Sequence, residues 1–297
     1  MDQRLVINHR YVGRFAPSPT GPLHFGSLVT ALASYLDARA HGGKWLVRVE
    51  DLDPPREITG SSTLILEQLR ALGMDWDGDV LYQSTRLSAY ESILEQLEDQ
   101  KICFRCDCSR QRVSGLEGIY DGRCRSRGLT SAQGLAIRLK IRPETVRFTD
   151  TIQGDYAQNL EHEVGDFILR RKDGLFAYQL AVVADDAEQG ITHIVRGYDL
   201  LSSTPRQIYL QQLLGLPTPS YAHIPIIVNA LGQKLSKQHF AEPIDLKNAS
   251  SLLISALQFL GMTPPPSLTG AVPASLVTWG AEHWDIQRVP KLAKMTR

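Results

Sequence analysis

The sequence predicts an α/β fold: a parallel sheet covered by helices, interrupted by a β-rich insertion. Three observations predict it. Strand-like and helix-like segments alternate over the first hundred residues, a pattern that favours parallel strands joined by crossover helices. The alternation stops near residue 101 and resumes near residue 186. The stretch between them is basic, carries every cysteine and reads as β-rich.

Residues 11–16 read as a strand and 27–40 as a helix stopped by Gly42-Gly43. Residues 44–50 form a second strand, largely apolar through Trp45, Leu46, Val47 and Val49. Residues 61–72 read as a helix with Gly73 at its C-terminal end. A further helix over 88–100 places Tyr90, Ile93, Leu94 and Leu97 at helical spacing. In the insertion, 136–141, 146–151 and 167–171 read as strands, with Asp173-Gly174 as a hairpin turn leading into a strand within 176–183. Residues 191–196 are expected as a strand and 205–214 as a helix, with Thr204 as N-cap and Pro205 at the first helical position. Residues 223–228 read as a strand, and Asp245 is placed to cap a helix running to residue 260. Residues 262–275 carry Pro264-Pro265-Pro266 and Pro273 and read as a linker. The expected division is a split α/β domain over 1–100 and 186–262, an inserted domain over 101–185, and a linker with a short C-terminal tail over 263–297.

The chain has 297 residues, 43% hydrophobic and 22% charged, which excludes disorder, collagen and coiled coil as its main theme. Its 32 basic and 32 acidic residues cancel, so a wholly basic nucleic-acid coat is excluded while a local basic face is not. Residues 101–147 hold 11 Lys and Arg against 4 Asp and Glu, a local charge of +7 set against −7 elsewhere. No apolar run reaches the ~18 residues of a membrane span, and residues 1–10 lack the apolar core of a signal peptide. The expectation is a cytoplasmic monomer with no membrane partner. In that reducing setting Cys103, Cys106, Cys108 and Cys124, all within 22 residues, point to a metal before disulfides.

Two segments carry the chemistry. In Arg14-Phe15-Ala16-Pro17-Ser18-Pro19-Thr20-Gly21-Pro22-Leu23-His24-Phe25-Gly26-Ser27, a strand ends in a Pro- and Gly-rich loop that opens a helix. A helix N-terminus offers unpaired N–H groups and a positive dipole end, which suit phosphate. A Pro-stiffened turn before an ordinary helix would have the same spacing. Some two hundred residues later, Gly232-Gln233-Lys234-Leu235-Ser236-Lys237-Gln238 places two lysines three apart, where their ammonium groups can meet a triphosphate. Paired lysines alone are more often a solvated loop.

Together the two segments resemble the signature motifs of class I aminoacyl-tRNA synthetases. His24-Phe25-Gly26-Ser27 is similar to the HIGH motif, with Ser27 in place of the last His. Lys234-Leu235-Ser236-Lys237-Gln238 is similar to KMSKS, with Leu235 for Met and Gln238 for the last Ser. The run into His24, together with Glu50-Asp51-Leu52-Asp53, resembles the glutamyl/glutaminyl branch. Only 59 residues follow Gln238, too few for the anticodon-binding domain of a glutamyl-tRNA synthetase. With that truncation the set resembles the glutamyl-Q tRNA(Asp) synthetase family, which attaches glutamate to queuosine in the anticodon of tRNA(Asp).

The resemblance implies a Rossmann-like sheet with an inserted zinc-bearing domain of acceptor-binding type. It implies ATP-dependent ligation through glutamyl-adenylate, with Mg²⁺ accompanying ATP. His24 and Lys237 would be catalytic. His24, Gly26, Lys234 and Lys237 would bind ATP. Arg14, Phe15, Ala16, Pro17, Ser18, Glu50, Tyr178 and Arg196 would bind glutamate, with arginine suiting a carboxylate because its fork donates two parallel hydrogen bonds. One structural zinc would be held by Cys106, Cys108, Tyr120 and Cys124. Spacing alone selects the four cysteines, and Tyr120 enters only through the resemblance. The alternatives are a minimal synthetase charging a tRNA 3′ end and a non-catalytic zinc-bearing RNA-binding module. The basic stretch, with Arg123, Arg125 and Arg127 in the cysteine loop, is the expected tRNA contact.

Overall fold

The apolar segment Val12–Phe15 (β1) pairs in parallel with Lys44–Val49 (β2), which pairs in parallel with Leu81–Tyr82 (β3). This computed structural model describes residues 11–130, 134–229 and 242–296. Between the strands run the helices Phe25–Ala40 (α1) and Ser61–Ala71 (α2), and Leu87–Asp99 (α3) follows β3. Helix α1 is buried on nearly all sides, with Leu28, Val29, Leu32 and Leu36 at 0–1% exposure. Its alanines let the backbone approach closely, and Ser34 meets the indole N–H of buried Trp45 at 3.0 Å.

The insertion begins with Cys103–Cys106 (β4) and the short helix Arg110–Ser114 (α4). Ala136–Leu139 (β5) pairs antiparallel with β4 and with Ile168–Arg170 (β8). Between them, Thr145–Asp150 (β6) and Gly154–Asn159 (β7) form a hairpin, followed by the turn of helix Leu160–Glu163 (α5). The chain then returns through Tyr178–Glu188 (α6), His193–Gly197 (β9), Thr204–Leu214 (α7) and Ser220–Ile224 (β10), with β9 and β10 parallel. The Thr192 N–H donates to the Val12 carbonyl at 2.9 Å, so β9 lies beside β1. The order across the parallel layer is therefore β3, β2, β1, β9, β10. Connections depart in opposite directions from β1 and β9, and open α/β sheets bind ligands at the strand ends of such a switch point.

The expected strand within 176–183 is instead the start of α6. Asp173-Gly174 does turn the chain, with Gly174 at φ +87°, but pairing stops at the single bridge Arg170–Phe176. Leu180, Ala181, Val182, Val183 and Ala184 are all buried, and even Asp185 and Asp186 turn inward onto buried partners, so the helix has no exposed polar face to reveal its period. Thr204 is the first residue of α7 and Ser203 its N-cap, because the Thr204 hydroxyl is engaged elsewhere, by Arg196. The expected strand over 223–228 breaks at Pro225 into β10 and Ile226–Val228 (β11), since proline cannot donate to a ladder. Asp245 accepts from the Lys247 N–H and opens a single 3₁₀ turn before Ala249–Phe259 (α8).

The segment read as linker and tail is packed structure. Pro273–Glu282 (α9) takes its proline in the first turn and buries Leu276, Val277 and Gly280 in the core shared by α1 and α8. At Gly280 an added Cβ would meet Leu36 and Leu257 at 3.0–3.1 Å, so the helices touch through it. Lys294–Thr296 (β12) pairs in parallel with β11. Prolines here start helices and turns, which composition alone does not distinguish from a linker.

Candidate functional site

At the ends of β1 and β9, against the N-terminus of α1, lies a cavity of about 570 Å³. Arg14, Phe15, Ala16, Pro17, Ser18, His24, Gly26, Glu50, Tyr178 and Arg196 all line it. The sequence positions these residues up to 182 apart bring together are thus every described residue expected at the glutamate and ATP sites. Lys234 and Lys237, with the rest of the second motif, lie outside the described residues. The described chain stops at Asn229, just beyond Ile226 and Ile227 of the cavity wall, and resumes at Glu242. Pro243 then bridges to His24, and the Ile244 N–H reaches the Leu23 carbonyl at 2.9 Å.

His24 is the N-cap of α1. Its Nδ1 accepts the Ser27 N–H at 3.2 Å, while Ser27 Oγ accepts the His24 N–H at 2.8 Å. An N-cap acceptor must carry a lone pair, so the neutral ring holds its proton on Nε2. The motif thus fixes a tautomer, and Ser27, to which sequence reasoning gave no role, completes a capping box. The usual Ser/Thr-to-Glu signature is replaced by His-to-Ser, which hid it.

Two arginines face the cavity from buried positions. Arg14 is held by Asp186, Nε to Oδ1 at 3.2 Å, and Arg48 shares the same oxygen at 2.7 Å. Burial opposes ionisation of Asp186, but the two guanidinium groups hold it below the usual carboxylate range. Glu50 sits 3.5 Å from Arg48, and burial still pushes its carboxyl upward. Arg196 donates to Thr204 Oγ1 at 2.8 Å and to His223 Nε2 at 3.0 Å. Arg14 and Arg196 against Glu50 and Asp199 leave the cavity lining at net zero, and Arg48 and Asp186 behind it also cancel. Arg48, Asp186 and His223 were missed from sequence because each acts from behind the wall through another side chain. Asp51 and Asp53, in the acidic run after Glu50, are structural: Asp51 accepts the Ser84 N–H and hydroxyl, and Asp53 pairs with Arg56 and Arg171.

The cysteines divide. Cys106, Cys108 and Cys124 bring their sulfurs within 4.8 Å of one another, all buried. Cys108 Sγ lies 3.7 Å from Cys124 Sγ, and the Tyr120 oxygen lies 3.5 Å from Cys106 Sγ and 3.8 Å from Cys108 Sγ. A tetrahedron with Zn–S near 2.3 Å and Zn–O near 2.0 Å has edges of about 3.8 Å (S···S) and about 3.5 Å (S···O). Those separations fit a metal ion held by three thiolates and a phenolate. The Tyr120 oxygen also accepts the Cys124 N–H at 2.9 Å, and Arg112 and Arg127 donate to Cys108 and Cys124 at 3.6 and 3.4 Å, offsetting thiolate charge. Cys103, which spacing alone had selected, lies three residues before Cys106 on β4. An odd separation on a strand turns its side chain to the opposite face, where it packs with Ile102 and Leu139.

The arginines of the cysteine loop are partly committed. Arg125 grips buried Asp166 with two bonds of 2.6 and 2.7 Å, and Arg127 pairs with Asp107 at 2.6 Å. Arg123 makes no salt bridge among the described residues. Arg125→Ala leaves the buried Asp166 carboxylate short of its partner and should cost about 1–3 kcal/mol in urea denaturation. Arg123→Ala should stay within ~0.5 kcal/mol of the parent and flatten the salt dependence of tRNA binding by about 0.7–0.9 in log–log slope. An unchanged slope removes Arg123 from the tRNA contact.

A model of the family described as tRNA synthetases class I (E and Q), catalytic domain, matches residues 11–267. A glutamyl-Q tRNA(Asp) synthetase of Ectopseudomonas mendocina is 52% identical over 285 residues, covering 96% of this chain and 97% of its own. One from Neisseria meningitidis serogroup B is 54% identical, covering 95% and 98%. Among solved structures, a glutamate tRNA ligase of Elizabethkingia meningosepticum in complex with its amino acid superposes with a TM-score of 0.78 at 26% identity, covering 95% of this chain and 66% of that one.

Proposed function

The chain belongs to the class I tRNA synthetases for glutamate and glutamine, and from that premise we propose that it activates glutamate with ATP and transfers it to queuosine in the anticodon of tRNA(Asp). The observation that carries the activation step is the cavity at the switch point. Glutamate brings two carboxylates and one ammonium, and the cavity wall offers Arg14 and Arg196 against Glu50 as matching charges. Arg14 and Arg196 hold carboxylates, and Glu50, at the end of β2, holds the ammonium. Tyr178 closes the side of the pocket from the first turn of α6.

The α-carboxylate oxygen attacks the α-phosphorus of MgATP. A C(O)O–P bond forms, the bond to the β-phosphate oxygen breaks, and pyrophosphate leaves. The protein positions these groups and meets the charge as it moves. His24 Nε2–H and the N–H groups opening α1 face phosphate oxygens; Gly26 keeps that approach open; Lys234 and Lys237 add cations. A queuosine hydroxyl then attacks the activated carbonyl, losing its proton, and AMP departs with the C–O electron pair. No covalent enzyme intermediate is needed.

The choice of queuosine rests on the relatives that match nearly end to end and bear that activity in their names. A zinc ion held by Cys106, Cys108, Tyr120 and Cys124 would cross-link the loop between β4 and β5, a structural service with no part in the reaction. The reading places the protein in the cytoplasm with its tRNA.

The test has two arms. ATP–pyrophosphate exchange should depend on glutamate and not on aspartate or glutamine. Labelled glutamate should then pass to an isolated tRNA(Asp) anticodon stem-loop carrying queuosine and not to one carrying guanosine. Transfer that requires the 3′ terminal ribose supports instead a minimal synthetase charging the acceptor end. Absence of exchange rejects activation altogether.

A further inference from the structure

We propose that the buried pair Asp150–His223 is a positioning device for Arg196: a neutral imidazole, locked in one tautomer by the carboxylate, aims the guanidinium into the cavity without cancelling its charge. The proposal rests on the reading of Arg196 as a glutamate carboxylate ligand.

The register of the parallel pair sets His223 directly beside Arg196. Both are buried, at 0% and 3% exposure. Arg196 Nε donates to His223 Nε2 at 3.0 Å. A guanidinium has no acceptor, so Nε2 must carry the lone pair and the ring proton must sit on Nδ1. That proton goes to Asp150 Oδ2 at 2.5 Å. Asp150 is itself fixed, its Oδ1 accepting the N–H groups of Ile152, Gln153 and His223 at 3.0, 2.9 and 3.1 Å. It stands at the end of β6, so the insertion reaches into the catalytic strand pair to set this tautomer.

The remaining bonds of Arg196 leave one nitrogen for a ligand. Nη2 is held by Thr204 Oγ1 at 2.8 Å and the Leu200 carbonyl at 3.4 Å, while Nη1 is buried with no partner. Burial first, then the nearby charge of Arg196, pushes His223 down to about 4 against the pull of Asp150, so the ring is neutral at working pH. The contrast with Arg14 is instructive. Its orienting partner, Asp186, is a carboxylate, one shared with Arg48, which Glu50 also faces at 3.5 Å. A carboxylate in place of His223 would sit against Arg196 Nε and neutralise the cation that is to meet the substrate carboxylate.

Asp150→Asn tests the device through the tautomer. The three backbone N–H groups can donate only to an oxygen opposite them, so the new amide nitrogen must take the Oδ2 position and face His223 Nδ1. The ring proton is then forced to Nε2, where it opposes Arg196 Nε–H. Nitrogen-15 NMR of the ring should report Nδ1–H in the parent and Nε2–H in the variant. The KM for glutamate in pyrophosphate exchange should rise at least tenfold, with kcat and the KM for ATP within threefold. His223→Gln supplies a neutral acceptor and should lie within about threefold of the parent, whereas His223→Glu should raise the glutamate KM at least tenfold. An Nε2–H tautomer in the parent overturns the proposal, as does a glutamate KM indifferent to Gln or Glu at position 223. The Gln and Glu pair and the parent spectrum decide the matter even if Asp150→Asn does not fold. Arg196→Leu is the reference: if it leaves the glutamate KM unchanged, the carboxylate reading itself fails, whereas a large effect there with none at 150 and 223 sinks the positioning role alone.

Discussion

With Arg14 replaced by glutamine, the KM for glutamate should rise at least about thirtyfold while that for ATP stays within threefold. Arg14, next to last on β1, is 4% exposed, so any carboxylate it meets is fully desolvated. Removing one partner of such a pair costs about 2–5 kcal/mol, since the other charge is left without compensation in a medium that solvates it poorly. At ~1.4 kcal/mol per decade, that is roughly 30-fold to several thousandfold. The fold should survive, because Asp186 keeps Arg48 at 2.7 Å and the glutamine amide can still donate to it. The ATP side of the cavity is built from a different element, the N-terminus of α1 with His24, so its affinity should not follow. Pyrophosphate exchange at varied glutamate and fixed ATP, then the reverse, separates the two. A rise below fivefold in the glutamate KM removes Arg14 from the amino acid site.

Arg14 was legible in the sequence, and its partners were not, for a physical reason. The loop from Arg14 to Ser27 is local: strand, turn and helix start follow one another, and every chemical group needed at that corner is written within fourteen residues. Glu50 was legible likewise as the end of a neighbouring apolar strand. Arg48 and His223 sit on strands paired in parallel with distant ones, and parallel register leaves no short-range signature, while Asp186 on α6 and Asp150 at the end of β6 reach partners 172 and 73 positions away in the chain. The same applies to the helix α6. Its apolar run is buried all round, so neither a period of two nor one of 3.6 stands out, and the adjacent Asp-Gly turn tilted the reading toward a hairpin. The prolines of 264–273 were legible as breaks but not as the starts of a packed 3₁₀ turn and helix, because what decides between those outcomes is the apolar surface of α1 and α8 that α9 covers.

The protein purified without chelator should carry one zinc per chain, and Cys106→Ser, Cys108→Ser and Cys124→Ser should each lose it, whereas Cys103→Ser should keep it. Sequence spacing could not separate Cys103 from Tyr120 as the fourth ligand, but strand geometry does. Cys106 and Cys103 lie on opposite faces of β4, one in the cluster with Tyr120 and Cys124, the other against Ile102 and Leu139. Burial pushes the Cys103 thiol up to about 12, the opposite of what a thiolate ligand requires. Tyr120→Phe keeps the ring packed against Phe104 and under Arg138 while removing the oxygen, so it should weaken zinc without unfolding the loop. Because the binding energy of a structural zinc is also folding energy, on the order of 10 kcal/mol in small zinc domains, stripping the metal should release residues 103–128 in hydrogen exchange. The cavity at the ends of β1 and β9 is built without these residues, so glutamate-dependent pyrophosphate exchange should persist after chelation while transfer to tRNA falls. Elemental analysis of the five variants decides the ligand set: zinc retained by Cys106→Ser and lost by Cys103→Ser would overturn the choice of Tyr120 over Cys103.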